Sequence, residues 1–92
     1  MRIIFMGTPR FAVPTLEVLV ASGEEIVAVV SQPDRPAGRG GEVVPPAVKE
    51  CAVKMGFTVL QPQKMKDPAF LTRFEAMKPD LAVVVAYGRI LP

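Results

Sequence analysis

The sequence predicts an α/β fold built on a doubly wound parallel sheet, and two observations carry this prediction. Apolar segments typical of buried strands alternate with segments whose apolar residues repeat at helical spacing. The strands are apolar throughout, as expected of a parallel sheet that is covered on both faces. Right-handed crossovers then place four strands in the spatial order 3-2-1-4, with three helices packed against them.

The first half of the chain supplies two strands and one helix. A short apolar run rich in branched residues predicts the first strand at Arg2–Phe5. Leucine and valine side chains at helical spacing predict a helix at about Ala12–Ser22, with Gly23 placed to end it. A second apolar strand follows at Glu24–Ser31.

The second half begins with a helix over residues 46–55, which Gly56 is placed to end, and a short third strand at Thr58–Leu60. The predicted apolar face of that helix consists of Val48, Cys51, Ala52 and Met55. Asp67 is a candidate N-cap of the third helix, and Pro68 suits the first helical position. The predicted apolar face of this third helix consists of Phe70, Leu71, Phe74 and Met77. The fourth strand is predicted at Leu81–Val85.

The composition is that of one small globular domain. The 92 residues carry a net charge of only +2, so no global electrostatic case for binding nucleic acid or a membrane exists. A single cysteine excludes an intramolecular disulfide and fits a cytoplasmic setting, and no cysteine-based metal site is expected. The absence of histidine removes the side chain most often used in acid–base catalysis near neutral pH.

The longest connection, residues 31–46 (SQPDRPAGRGGEVVPP), shows no obvious secondary structure. It carries Arg35 and Arg39, and Arg39 lies between Gly38 and Gly40, so that its backbone can approach a partner closely. A guanidinium group binds phosphate through two parallel hydrogen bonds. The residues leave two alternatives open: a phosphate-binding loop, or a surface loop with incidental charge.

Two further segments are expected at the carboxyl edge of the sheet, where doubly wound folds bind ligands. The first, MGTPRFA, contains Gly7, Thr8 and Pro9 and is either a ligand-binding turn or a turn that only leads into a helix. Its single glycine does not support dinucleotide binding. The second, AYGRILP, contains apolar residues that either line a pocket or belong to the core and its loops, namely Tyr87, Ile90 and Leu91.

Three segments together, RIIFMGTPRFAVPTLEVL, VSQPDRPAGRG and VVVAYGRILP, resemble the methionyl-tRNA formyltransferase family over the whole chain. The resemblance implies a Rossmann-like formyltransferase fold. It also implies transfer of a formyl group from 10-formyltetrahydrofolate to the amino group of methionine on initiator tRNA. Other members of the fold, namely sugar-nucleotide formyltransferases and formyltetrahydrofolate hydrolases, are not expected to carry the QPDRPAGRG loop.

The resemblance also assigns residues. Arg35 and Arg39 are the implied tRNA contacts, although Gly41 and Glu42 stand where many members have lysines. The turn facing the active site is Gly7, Thr8 and Pro9, and one wall of the folate pocket is Tyr87, Gly88, Ile90 and Leu91.

The family's catalytic asparagine, histidine and aspartate, its Ser-Leu-Leu-Pro folate segment and its C-terminal barrel are all expected outside these 92 residues. Residues 1–92 are therefore expected to form the N-terminal part of the catalytic domain and to be inactive alone, because oxyanion stabilisation and proton transfer both need missing groups. One alternative is an RNA-binding fragment without catalysis, and another is a related folate-dependent formyltransferase or hydrolase. A strand as apolar as LAVVVAY at the edge of the sheet also predicts self-association.

Overall fold

The computed structural model describes residues 1–37, 42–64, 66–85 and 87. Strands and helices alternate through most of this part of the chain. The elements are β1 (Arg2–Gly7), a 3-10 helix (Arg10–Ala12), α1 (Val13–Ala21), β2 (Glu25–Val30), β3 (Arg35–Ala37), β4 (Glu42–Val44), α2 (Ala47–Met55), β5 (Val59–Leu60), α3 (Pro68–Ala76) and β6 (Leu81–Val85).

The main sheet has four parallel strands in the order β5-β2-β1-β6. Along the chain these are the third, second, first and fourth strands of that sheet, so the predicted order 3-2-1-4 is confirmed. Strand β1 is central, and its Ile3 pairs with Ile26 of β2 and with Leu81 of β6. The carboxyl ends of all four strands consequently lie at one edge.

The two faces of the sheet bury separate hydrophobic clusters, as a doubly wound fold requires. On one face, Phe5 of β1 packs with Leu16 of α1 and with Val48 of α2. On the other face, Met6 packs with Phe70 of α3 in a cluster that also contains Tyr87. Neighbouring residues of β1 point to opposite faces, and both are buried, which explains why this strand is apolar throughout.

The predicted end of α2 and the predicted start of α3 are confirmed. Gly56 follows α2 with a φ of 83°, a left-handed conformation that favours glycine. Asp67 caps α3 by accepting a hydrogen bond from the Ala69 amide at 2.9 Å, and Pro68 occupies the first helical position. These capping residues thus mark where α2 ends and where α3 begins.

The prediction that residues 31–46 lack secondary structure is wrong. Strands β3 and β4 pair antiparallel, with Arg35 opposite Val44 and Ala37 opposite Glu42. The β-branched residues Val43 and Val44 favour an extended backbone on one side of this pair. Strands β3 and β4, here called the hairpin, therefore form a two-stranded sheet of their own that is not paired with the main sheet.

The predicted start of the first helix and the end of the first strand also differ from the structure. Strand β1 continues to Gly7 because β6 extends far enough for Gly7 to pair with Val85. A turn of 3-10 helix then precedes α1, with the Ala12 amide donating to the Pro9 carbonyl at 3.0 Å. Two predicted face residues, Met55 and Leu71, are each 39% exposed, because Ala52 and Phe70 occupy the interior positions of their helices.

Candidate functional site

Polar residues follow the carboxyl ends of all four parallel strands. Thr8 comes after β1, Gln32 after β2, Gln61 after β5 and Tyr87 after β6. Since these strand ends meet at one edge of the sheet, their polar groups come within hydrogen-bonding distance of one another. This edge is the candidate functional site.

The first network joins the ends of β1, β2 and β6. The Thr8 hydroxyl donates to the main-chain carbonyl of Tyr87 at 2.9 Å and accepts from the main-chain N–H of Gln32 at 3.3 Å. The side-chain amide of Gln32 donates to the same Tyr87 carbonyl at 3.2 Å. Gln32 is buried, so these bonds satisfy polar groups that water does not reach. They hold the three strand ends in a fixed relation.

The second network joins the end of β5 to α2 through Asp34. One carboxylate oxygen accepts from the Gln61 side-chain amide at 2.7 Å and from Lys49 Nζ at 3.0 Å, while the other accepts from Lys49 Nζ at 2.9 Å. The hydrogen bond from Gln61 and then that from Lys49 lower the pKa of the Asp34 carboxyl, against a smaller opposing effect of desolvation. Asp34 is therefore ionised, and its carboxylate oxygens accept hydrogen bonds that join the end of β5 to α2.

Gly7 occupies a position at this edge where no side chain fits. A Cβ atom there would lie 2.9 Å from Phe5 Cε2, 3.0 Å from the Val85 carbonyl oxygen and 3.1 Å from the Ala12 Cβ. Two of these neighbours are backbone or helix atoms that cannot rotate away. Glycine thus allows β1, β6 and the 3-10 helix to meet closely, and it brings the turn that contains Thr8 and Pro9 against the end of β6.

The structure brings some of the predicted site residues together. Gly7, Thr8 and Pro9 form the turn at the edge, and Tyr87 lies beside them with its side chain 2% exposed in the core. Arg35 lies at the start of β3. The remaining predicted residues, Arg39, Gly88, Ile90 and Leu91, lie outside the described residues.

Sequence reasoning missed Gln32, Gln61, Asp34 and Lys49 as members of this edge. Lys49 reads in sequence as one of several scattered surface lysines, yet its side chain is only 26% exposed and it forms an ion pair with Asp34. One signal was present: a glutamine stands within two residues after each of two buried strands. In a parallel sheet, that position points to the edge where ligands bind.

At the described part of the edge, the carboxylate of Asp34 is paired with the ammonium group of Lys49. The sequence contains no histidine. Within residues 1–37, 42–64, 66–85 and 87, no three potential metal ligands cluster together. No helix in the same residues has the length and apolar character needed to cross a membrane.

Comparison with known proteins agrees with this architecture. The model of the formyl transferase family matches residues 1–92. A phosphoribosylglycinamide formyltransferase from Bacillus halodurans superimposes with a TM-score of 0.70 over 100% of this chain and 48% of its own, at 12% sequence identity. That likeness establishes the fold as Rossmann-like.

Other proteins are much more similar to this chain in sequence than that solved structure is. Methionyl-tRNA formyltransferases are 54% identical over 92 residues in Acetivibrio thermocellus, 56% over 91 residues in Moorella thermoacetica and 57% over 90 residues in Geobacter metallireducens. These alignments cover 98–100% of this chain but only 29–30% of each relative. Because the family model matches residues 1–92, the chain belongs to the formyl transferase family.

Proposed function

We propose that the protein of which these residues form the first part transfers a formyl group from 10-formyltetrahydrofolate to the amino group of methionine on initiator tRNA, and that it acts in the cytoplasm during translation initiation. The observation that carries this proposal is the 54% identity to a methionyl-tRNA formyltransferase along all 92 residues. The same residues are only 12% identical to a formyltransferase of the same fold that acts on another substrate. The similarity thus extends beyond what the shared fold requires.

Within this activity, residues 1–92 form the N-terminal part of the catalytic domain, and the rest of that domain and a C-terminal barrel lie outside them. Gly7, Thr8 and Pro9 face the mouth of the active site. The close packing around Gly7 and the hydrogen bond from Thr8 to the end of β6 support this role, because both fix the turn at the carboxyl edge. The donor's reactive formyl carbon would be attacked by the methionine amine at this edge.

The folate donor is proposed to contact a wall formed by Tyr87, Gly88, Ile90 and Leu91. Support comes from the position of Tyr87 two residues after β6, at the edge where the first strand also ends. Its side chain is packed in the core, so its proposed contribution is to place the following segment through a carbonyl that accepts from Thr8 and Gln32.

The tRNA is proposed to contact Arg35, at the start of β3, and Arg39, which lies outside the described residues. Support comes from the pairing of β3 and β4 with each other and not with the main sheet, since a partner that contacts them leaves the pairing of the main sheet intact. If Arg39 contacts a phosphate, Arg39→Ala should weaken binding of an acceptor-stem RNA and lower the slope of log K against log salt by about one contact. An unchanged slope would argue against this contact.

Residues 1–92 alone are proposed to be catalytically inactive. Acyl transfer to an amine needs groups that stabilise the oxyanion and remove a proton. The chain has no histidine, and the one carboxylate at the described edge is held by Lys49 and Gln61. The isolated chain should therefore give no formylation of methionyl-tRNA while a full-length relative does; measurable turnover would overturn this part of the proposal.

A segment exchange tests the function of the whole protein. Residues 1–92 replace the matching segment of the Acetivibrio thermocellus enzyme, to which they are 54% identical. The chimera should formylate methionyl-tRNA. A control chimera carrying the corresponding segment of the Bacillus halodurans phosphoribosylglycinamide formyltransferase should not, although its fold is the same. A folded first chimera that is inactive would contradict the proposal, and an RNA-binding module without catalysis would then be the better description.

Self-association through β6 is a separate part of the proposal, with a second copy of the chain as the partner. Among the described residues, β6 pairs only with β1, and its sequence LAVVV contains no charge. Leu81 and Val84 are 47% and 45% exposed. An uncharged edge strand offers backbone donors and acceptors to another strand, which supports pairing between two copies.

A further inference from the structure

The entry to the hairpin is fixed by one carboxylate. Strand β2 ends at Val30 and β3 begins at Arg35, so Asp34 is the residue directly before the hairpin. Its side chain is 30% exposed, which is low for an aspartate in a connection between strands. Asp34 is therefore a partly buried residue at the point where the chain passes from the main sheet to β3.

Two elements hold this carboxylate from different sides. Gln61, at the end of β5, donates to Asp34 at 2.7 Å and also to the Gln32 carbonyl at 3.0 Å, so that one side-chain amide spans the connection. Lys49, on α2, donates to both carboxylate oxygens at 3.0 and 2.9 Å. A charged acceptor with three donor contacts is held more firmly than a single surface ion pair.

The exit of the hairpin is fixed by the same helix. After β4, Pro45 and Pro46 restrict the backbone and lead directly into α2 at Ala47. Since α2 also carries Lys49, the ion pair between Lys49 and Asp34 joins the helix after the hairpin to the residue before it, across 15 positions. The base of the hairpin is thus closed by side chains as well as by the pairing of β3 with β4.

We propose that Asp34 is a positioning residue, which acts through Lys49 and Gln61 to hold β3 and β4 in the orientation in which they contact RNA. This inference rests on the proposed tRNA-contacting function of the hairpin. Asp34 contributes no favourable charge to RNA binding, because a carboxylate repels phosphate. Asp34 instead favours binding because it restricts the hairpin before RNA is bound, so that less conformational entropy is lost on binding.

The sign of one mutational effect separates positioning from electrostatics. Asp34→Asn and Asp34→Ala each remove a negative charge near the hairpin, so electrostatics alone predicts tighter RNA binding. Positioning predicts the opposite, a loss of affinity on the order of tenfold for an acceptor-stem minihelix of initiator tRNA. Asp34→Glu, which keeps the carboxylate, and the charge exchange Asp34→Lys with Lys49→Asp should recover part of the loss.

A matched pair on α2 controls for the loss of a lysine. Lys49→Ala and Lys54→Ala remove the same charge from the same helix, but only Lys49 bonds to Asp34. Lys49→Ala should weaken RNA binding several-fold more than Lys54→Ala. Thermal unfolding of every variant shows whether the domain remains folded, and Asp34→Asn keeps the test available should Asp34→Ala unfold.

Backbone relaxation tests the positioning without RNA. In the 92-residue chain, the ¹H–¹⁵N heteronuclear NOE of the Ala37 and Val43 amides should fall in Asp34→Asn and stay unchanged in Lys54→Ala. Unchanged NOE values in a folded Asp34→Asn variant, or RNA binding as tight as that of the unaltered chain, would overturn the inference. If the unaltered chain binds no RNA, the proposed function of the hairpin fails, and the relaxation experiment alone still decides whether Asp34 positions it.

Discussion

Arg2 donates from its Nη2 to the main-chain carbonyl of Met77 at 2.6 Å, at the C-terminal end of α3. Its Nε donates to the same carbonyl at 3.0 Å, and its Nη1 donates to Glu25 at 2.9 Å. A cation at this end of a helix satisfies carbonyl groups that have no partner within the helix, and it complements the helix dipole. The first residue of the central strand thereby fixes α3 against the start of the sheet.

Replacing Arg2 by Ala should lower the free energy of unfolding by about 1–3 kcal/mol, because several charge-assisted hydrogen bonds are lost together. Arg73→Ala, which removes the same charge from the exposed side of α3, should cost less than about 0.5 kcal/mol. Urea denaturation followed by circular dichroism measures both. Equal costs for the two substitutions would show that the contacts of Arg2 contribute little.

A methyl group at position 7 should destabilise the fold. Gly7→Ala places its Cβ within 3.1 Å of three neighbours, of which the Val85 carbonyl and Ala12 cannot move without shifting β6 or the 3-10 helix. The expected loss is about 1–3 kcal/mol in the free energy of unfolding. The control is Gly23→Ala, where φ is +81° but nothing lies within 4 Å of the added atom, so that only backbone strain of about 1 kcal/mol applies. Gly7→Ala costing less than the control would contradict the crowding.

The ionisation of Asp34 should make stability depend on pH in the acid range. The pKa of this carboxyl lies below its ordinary value of 3.8 in the folded chain, so its stabilising contribution is complete above the unfolded pKa and is lost as the pH falls through the folded pKa. The free-energy difference between the unaltered chain and Asp34→Asn should therefore be constant from about pH 5 to 7 and shrink below about pH 4. A difference that stays the same down to about pH 2.5 would contradict a lowered pKa.

The thiol of Cys51 should react slowly. Partial burial raises its pKa, the nearby Glu17 carboxylate raises it further, and Lys54 lowers it. The rate of alkylation by iodoacetamide at about pH 8 should rise in Glu17→Gln and fall in Lys54→Gln, because only the thiolate reacts. The chain unfolded in urea gives the reference rate. Opposite responses of the two variants would show that other effects control this thiol.

A charge on β6 should weaken self-association. Val84→Lys introduces a cation on the exposed edge strand, whereas Val18→Lys introduces the same charge on an exposed position of α1. Sedimentation velocity over a concentration series should show association of the unaltered chain and of Val18→Lys, and less association of Val84→Lys. A monomeric unaltered chain at all concentrations would remove the basis for pairing through this edge.

The sheet was predictable because its order depends on few variables. Once the apolar strands at Ile3 and Val83 are recognised as parallel and buried, right-handed crossovers leave little freedom in the order of strands. The hairpin escaped prediction because β3 and β4 have only three residues each and β3 contains Pro36, which rarely signals a strand. Its pairing is visible only when both short segments are placed side by side.

The candidate site was predictable in place but only partly in composition. Thr8 could be assigned because it follows a strand and a glycine, and this position alone points to the carboxyl edge. Asp34 and Gln61 could not, because they lie 27 positions apart and the role of each depends on the other. Contacts of this kind follow from strand order and helix placement together, so that they emerge only when the fold is built.

The central place of β1 has a consequence for how the chain folds. Its pairing with β2 joins residues about 23 positions apart, but its pairing with β6 joins Ile3 to Leu81, a separation of 78 positions. Contacts between such distant residues close large loops and slow the search for the native state. On a ribosome, β1 has one open edge until β6 has emerged, which leaves time for a chaperone, or a misplaced segment, to occupy that edge first.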